Sequence, residues 1–111
     1  MRPRVRIRGS RGRWTAEADG ETLPVLHSTF WNVRTGRYHS PGEGFDPAGG
    51  KFTELQHLLR HGDRVIMQKD SDPVTLARAA YIGVFRYADL DIAADGAVSL
   101  KITHRIADAR K

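Results

Sequence analysis

Between Lys51 and Tyr87 the residue pattern switches from helical to extended, and this switch constrains the fold more than any other feature of the chain. Phe52, Leu55, Leu58 and Leu59 recur at helical spacing, which predicts a short helix with one apolar face turned to the core. Thr53 with Gln56 three residues later fits a capping box, where each side chain satisfies a backbone donor at the helix start. Arg60 and His61 suit the negative end of the helix dipole, and Gly62 can take the left-handed conformation just past it. Arg64 to Gln68 is then too apolar for a loop and too short for a helix, so it reads as a strand. Tyr81 to Tyr87, rich in aromatic and β-branched residues, reads as a second buried strand. Gly83 in its middle offers no side chain to pack, which marks a bulge or the close approach of another group.

Two hairpins flank this centre. Arg13 to Leu26 alternates, with Trp14, Ala16 and Ala18 on one face, and Asp19-Gly20 is a strong two-residue turn because a type I′ turn needs positive φ twice. Pro24 cannot donate to a ladder and so places the return strand at an edge or a bulge. Leu90 and Ile92, the turn Asp95-Gly96, and then Val98, Leu100, Ile102 and Ile106 form the second hairpin, with His104 on the same apolar face. Asp72-Pro73 suits the cap and first position of a short helix. From Gly36 to Gly50 the chain is glycine-rich and irregular, with Asp46-Pro47 able to cap an extra turn. A loop of this length in a small domain is commonly functional.

The whole adds up to one α+β domain over residues 1–111, mostly a small β barrel with one or two short helices. With 111 residues the chain can bury a core without staples. The absence of cysteine excludes disulfides and thiolate metal sites and suits a reducing compartment. No apolar run approaches membrane-spanning length and no apolar h-region follows the basic start, so the expectation is a cytoplasmic protein with no membrane association.

Charge is distributed unevenly. Of 18 Lys and Arg residues, six stand among the first 13 positions with no acid beside them, so the other 12 nearly cancel the 13 acids. Arg2, Arg4, Arg6 and Arg8 alternate with Pro3, Val5 and Ile7, and a strand would put all four on one face. Two readings of this basic segment at 2–13 stand open: an edge strand whose charge discourages edge-to-edge pairing, and an arm that lies along phosphates. Gly9 to Gly12 interrupts the alternation.

Leu58-Leu59 leading into Gly62-Asp63-Arg64-Val65-Ile66-Met67, followed by Tyr81-Ile82-Gly83-Val84-Phe85, resembles the PUA-like superfamily, most of all its ASCH and EVE branches, over roughly residues 51–106. The resemblance implies a pseudobarrel that binds RNA or modified bases in DNA, with the glycine-bearing strand passing under the ligand groove. Arg2 to Trp31 does not follow the family pattern.

The chemistry-bearing residues support a binding module before an enzyme. There is no Gly-x-Ser-x-Gly elbow, phosphate loop or dinucleotide fingerprint. Among His27, His39, His57, His61 and His104, only His57 and His61 have i, i+4 spacing, and Leu58 stands where a zinc protease has glutamate. Asp63, Asp70 and Asp72 gather around the central strand and read as a turn, a strand end and a cap. No metal or cofactor is implied. Trp31 and Tyr38 are expected on the surface, where bases stack on aromatic faces. The expected function is noncatalytic binding of RNA or DNA. Arg2, Arg4, Arg6, Arg8, Arg34, Arg37 and Lys69 would hold phosphates. Trp31, Tyr38 and Tyr81 would enclose a base over Gly83, and His39 would be at hand in the loop. The alternatives are a protein-interaction or accessory domain and a small hydrolase acting through His39 and a nearby acid.

Overall fold

The structure is a computed structural model and describes residues 2–9, 14–40 and 50–110, with helix side chains from Glu54 onward. The break at 10–13, the stretch 41–49 with its turn expected at Asp46-Pro47, and the side chains of Phe52 and Thr53 lie outside the described residues.

Strands dominate. They are β1 (Arg4–Val5), β2 (Ile7–Arg8), β3 (Thr15–Ala18), β4 (Glu21–His27), β5 (Arg37–His39), β6 (Arg64–Lys69), β7 (Ala80–Ile92) and β8 (Val98–Ala109). One helix, α1 (Gly50–His61), and a 3-10 turn over Ser28–Phe30 complete the described elements. The sheet runs β1-β8-β7-β6-β4-β3-β2, with β5 added to β8. Its two ends, β1 and β2, are separated only by Arg6, so the arginine-rich segment nearly closes the sheet into a barrel. β1 runs parallel to β8 with Arg4 beside Asp108, and β2 runs antiparallel to β3 with Arg8 beside Glu17. Among the described residues no helix is long and apolar enough to cross a membrane.

The sheet is buried on both faces around its centre, and successive residues feed two apolar clusters. Val65, Met67, Phe85 and Leu26 pack with Leu55 and Leu59 of α1 and with Tyr38 of β5. Ile66, Val84, Val25, Leu23, Ala16, Ala18 and Ala107 pack on the opposite side, together with Val5 and Ile7 of the closing segment. Strands buried on both faces read as continuous apolar runs, as Leu23 to Leu26 and Val65 to Met67 do. Pro24 is therefore not at an edge. It is the last β4 residue paired with β3 and precedes the first paired with β6, so its missing donor falls where the pairing passes from one neighbour to the other.

The turns follow local chemistry. Asp19 (φ 51°) and Gly20 (φ 85°) make the expected turn between β3 and β4. The β7–β8 turn is wider than two residues. Gly96 N–H donates to the Ala93 carbonyl and Ala93 N–H to the Ala97 carbonyl, both at 2.9 Å, with Gly96 alone at positive φ of 91°. Such a turn carries one left-handed residue at a bulge. No helix follows Asp72. Its carboxylate accepts from Val74 N–H at 2.8 Å, and its own N–H donates to the Ala77 carbonyl at 2.9 Å. The chain thus turns back at once, because β6 and β7 are adjacent antiparallel strands whose ends, Lys69 and Ala80, already pair.

The helix begins at Gly50, so Thr53 lies inside it and not at its cap. Gly62 keeps a negative φ, and a Cβ there would come within 2.9 Å of the Leu58 carbonyl oxygen. The orphan carbonyls at the helix end are served from another element: the Tyr87 hydroxyl donates to the Leu59 carbonyl and, at 3.0 Å, to the Gly62 carbonyl. Burial, and after it the Asp63 charge, pushes the Tyr87 pKa up to about 12, so the hydroxyl stays a donor.

The closing strand is held by backbone and charge. Asp108 N–H donates to the Pro3 carbonyl at 2.9 Å and Arg110 N–H to the Val5 carbonyl at 2.7 Å. The Asp108 carboxylate accepts from Arg105 at 2.9 Å and Arg2 at 3.3 Å. The Arg105 hydrogen bond first, and then the Arg2 charge, hold its pKa below the ordinary value. A carboxyl depressed in the folded state contributes its full stability above its unfolded pKa, about 4, and loses it as pH falls through the lowered value. The protection of the Arg110 amide against exchange, relative to its intrinsic rate, is therefore expected to fall below about pH 4, and Asp108→Asn to remove that pH step. Identical pH profiles for both proteins would exclude the latch.

Candidate functional site

A hydrogen-bonded polar cluster lies at the C-terminal ends of β4 and β6. These strands are parallel, with His27 in register with Gln68, so the residues leaving both strands emerge side by side. His27 Nδ1 lies 2.7 Å from Asp70 Oδ1. Thr29 Oγ1 donates to Asp70 Oδ2 at 3.2 Å, and Gln68 Nε2 donates to Oδ1 at 3.3 Å. Three side chains from two strand ends and the 3-10 turn thus fix one carboxylate. Trp14 meets the His27 ring edge-to-face, with centroids 5.2 Å apart, and holds it from the side. The His27 side chain keeps 23% of its surface open and that of Asp70 41%.

Tyr38 lies beneath this cluster and is only 1% exposed, which overturns the expectation of a surface ring. The reason is its place on β5. With Leu100 opposite, its side chain enters the helix-side cluster and makes an edge contact with Phe30. Burial pushes its phenol far above the ordinary pKa. The His27 backbone and the Ser40 side chain pull the other way, and the Asp70 charge adds to the rise. Its buried hydroxyl meets neither neighbour at hydrogen-bond geometry and has no partner among the described residues. Trp31 is half-buried, packs edge-on against Phe85 at 5.4 Å, and likewise has a buried Nε1 without a partner.

The other sequence-expected residues are dispersed. Tyr81 is half-buried against the opposite cluster, with its hydroxyl close to Gly9, so Trp31, Tyr38 and Tyr81 do not share a groove. Gly83 is covered by its neighbour strand: a Cβ there would lie 2.3 Å from the Ala107 carbonyl oxygen. Its glycine serves the close approach of β8, and no space above it is left for a base. Arg34, Arg37, His39 and Lys69 are exposed. Arg4, Arg6 and Arg8 are exposed beside half-buried Val5 and Ile7, while Arg2 is engaged by Asp108. Arg8 lines a cleft of about 440 Å³ with Glu17, Thr22 and Glu54.

His104 is exposed and not on the apolar face. Arg86 pairs with His104 and Tyr87 with Ile102, so Thr103 is an extra residue that reverses the alternation of β8. His57 and His61 stand with ring centroids 4.5 Å apart on the exposed side of α1, and no group of three metal-ligating side chains occurs among the described residues. The pairing of His27 with Asp70 escaped the sequence reading. The partners are 43 residues apart, and the usable signal was that His27 directly follows the apolar run Leu23–Leu26 while Asp70 follows Val65–Met67 after Gln68 and Lys69.

Comparison with family models, curated proteins and solved structures finds no match to this chain.

Proposed function

We propose that the chain is a nucleic-acid-binding module of PUA-like build that holds its polyanion along the closing segment. The observation behind the reading is the row Arg4, Arg6 and Arg8, which is exposed and has no ion-pair partner among the described residues. Backbone hydrogen bonds from Asp19, Asp108 and Arg110 fix this segment, so little order has to be gained when a ligand lies along it. Alternate residues on a strand stand about 6–7 Å apart, a spacing suited to successive phosphates of an extended single strand. The row lies within the first 13 residues, which carry six arginines and no acid, while the rest of the chain is nearly balanced.

Affinity for single-stranded RNA and DNA is expected to fall steeply with salt. Replacing Arg4, Arg6 and Arg8 together by glutamine should reduce the log–log salt slope by about two units, since each lost phosphate contact removes roughly 0.7–0.9. An unchanged slope in the triple variant removes the binding role of the row. A second reading, a protein-interaction domain, is favoured by the exposed apolar side chains of Val33, Val74 and Leu76. On that reading the wild type shows no salt-dependent nucleic-acid affinity at all.

A further inference from the structure

The cluster around Asp70 has the parts of a positioned base and lacks one part of a hydrolytic triad. An imidazole whose Nδ1–H is given to a carboxylate keeps its lone pair on Nε2, and the orientation of the ring is then set by the acid. Asp70 is in turn held by Thr29 and Gln68, and Trp14 limits the ring from the side. Among the described residues no serine or threonine hydroxyl is bonded to the His27 ring; Thr29 donates to Asp70, and the Ser40 hydroxyl accepts from Val98 N–H at 3.1 Å. The chain contains no cysteine. A base prepared in this way, with no nucleophile attached among the described residues, suits a substrate that brings its own.

We propose that His27 is a general base and Asp70 its positioning residue, and that the substrate is single-stranded RNA, whose 2′-hydroxyl lies beside the phosphate it attacks. The proposal rests on the nucleic-acid reading for delivery of the strand. His27 Nε2 takes the 2′-hydroxyl proton, and the 2′ oxygen forms a bond to phosphorus. The bond from phosphorus to the 5′ oxygen of the next nucleotide breaks, leaving its electron pair on that oxygen. This oxygen takes a proton from water, and the resulting hydroxide recovers the proton held by His27. The products are a 2′,3′-cyclic phosphate and a 5′-hydroxyl, and no atom is gained or lost. An attacking group carried by the substrate is already next to its target, which replaces a bimolecular encounter by an intramolecular step.

The test uses the full chain with a labelled single-stranded RNA, in the presence of a chelator, beside 2′-O-methyl RNA and DNA of the same sequence. Cleavage of the RNA alone, with cyclic-phosphate ends, is the expected result. His27→Asn should slow it by about 10²–10⁴-fold, the range of a general base, with RNA affinity and Tm unchanged. Asp70→Asn should lower kcat with little change in KM. Added imidazole should restore part of the cleavage by His27→Ala, which a loss of structure would not allow. RNA that is bound but uncut overturns this proposal alone, as does equal cleavage by His27→Asn. RNA that is not bound overturns it together with the nucleic-acid reading.

Discussion

Leu59→Ala is expected to destabilise the protein by about 2–5 kcal/mol, the usual range for removing a fully buried leucine side chain. Leu59 is 1% exposed and packs with Leu55, Tyr38 and Leu26 between α1 and the sheet. Deleting its methyl groups leaves a void between a helix and a strand face that cannot easily close. That loss is a large share of the roughly 5–15 kcal/mol that holds a domain folded. Leu58, its neighbour on the helical pattern, is only half-buried, so Leu58→Ala should cost clearly less. Urea denaturation of the two variants provides the check. Equal midpoints would mean that α1 does not anchor the core through Leu59.

Gly83→Ala is expected to be the most damaging single change in the sheet for its size. Its new methyl would stand 2.3 Å from the Ala107 carbonyl oxygen and 3.4 Å from the Asp108 Cα. Both are backbone atoms, which cannot turn aside as a side chain can, so β7 and β8 must separate. Overpacking of this kind costs about 1–3 kcal/mol and sometimes more. The effect should spread to the barrel seam, because Asp108 also pairs with Arg4 of β1. Faster amide exchange at Asp108 and Arg110, beyond that of the β6–β7 ladder, would show the seam opening first. Wild-type exchange rates at both amides would disprove the tight contact.

The elements whose causes are local were legible in the sequence. Helical spacing of Leu55 and Leu59 marked α1, and the apolar runs marked β6 and the first half of β7. Asp19-Gly20 marked its turn because positive φ is tolerated by few residues. Alternation of Val98, Leu100 and Ile102 marked the start of β8, and failed at His104 where a bulge inserts one residue. A bulge leaves little trace in a period-two pattern, because its cause is the fit of two long strands and not the preference of one residue.

The candidate site was legible only in part. The exposure of Arg4, Arg6 and Arg8 followed from alternation with Val5 and Ile7, since a half-buried strand sorts its residues by face. Tyr38 looked like a surface ring because it stands in the glycine-rich stretch from Gly36 to Gly50, yet its polar neighbours Arg37 and His39 are what a strand with one buried position requires.

By itself, then, the sequence determined the helix, the central strands, the Asp19-Gly20 turn and the outward face of Arg4, Arg6 and Arg8. These depend on spacing and backbone conformation within a few residues. Only the tertiary structure decided that β1 joins β8 while β2 joins β3, that Tyr87 finishes α1, that Ala107 covers Gly83, and that His27 meets Asp70. Strand pairing uses backbone groups that are the same in every residue but proline, so distant partners are selected by the joint burial of two apolar faces, which no local stretch of the chain specifies.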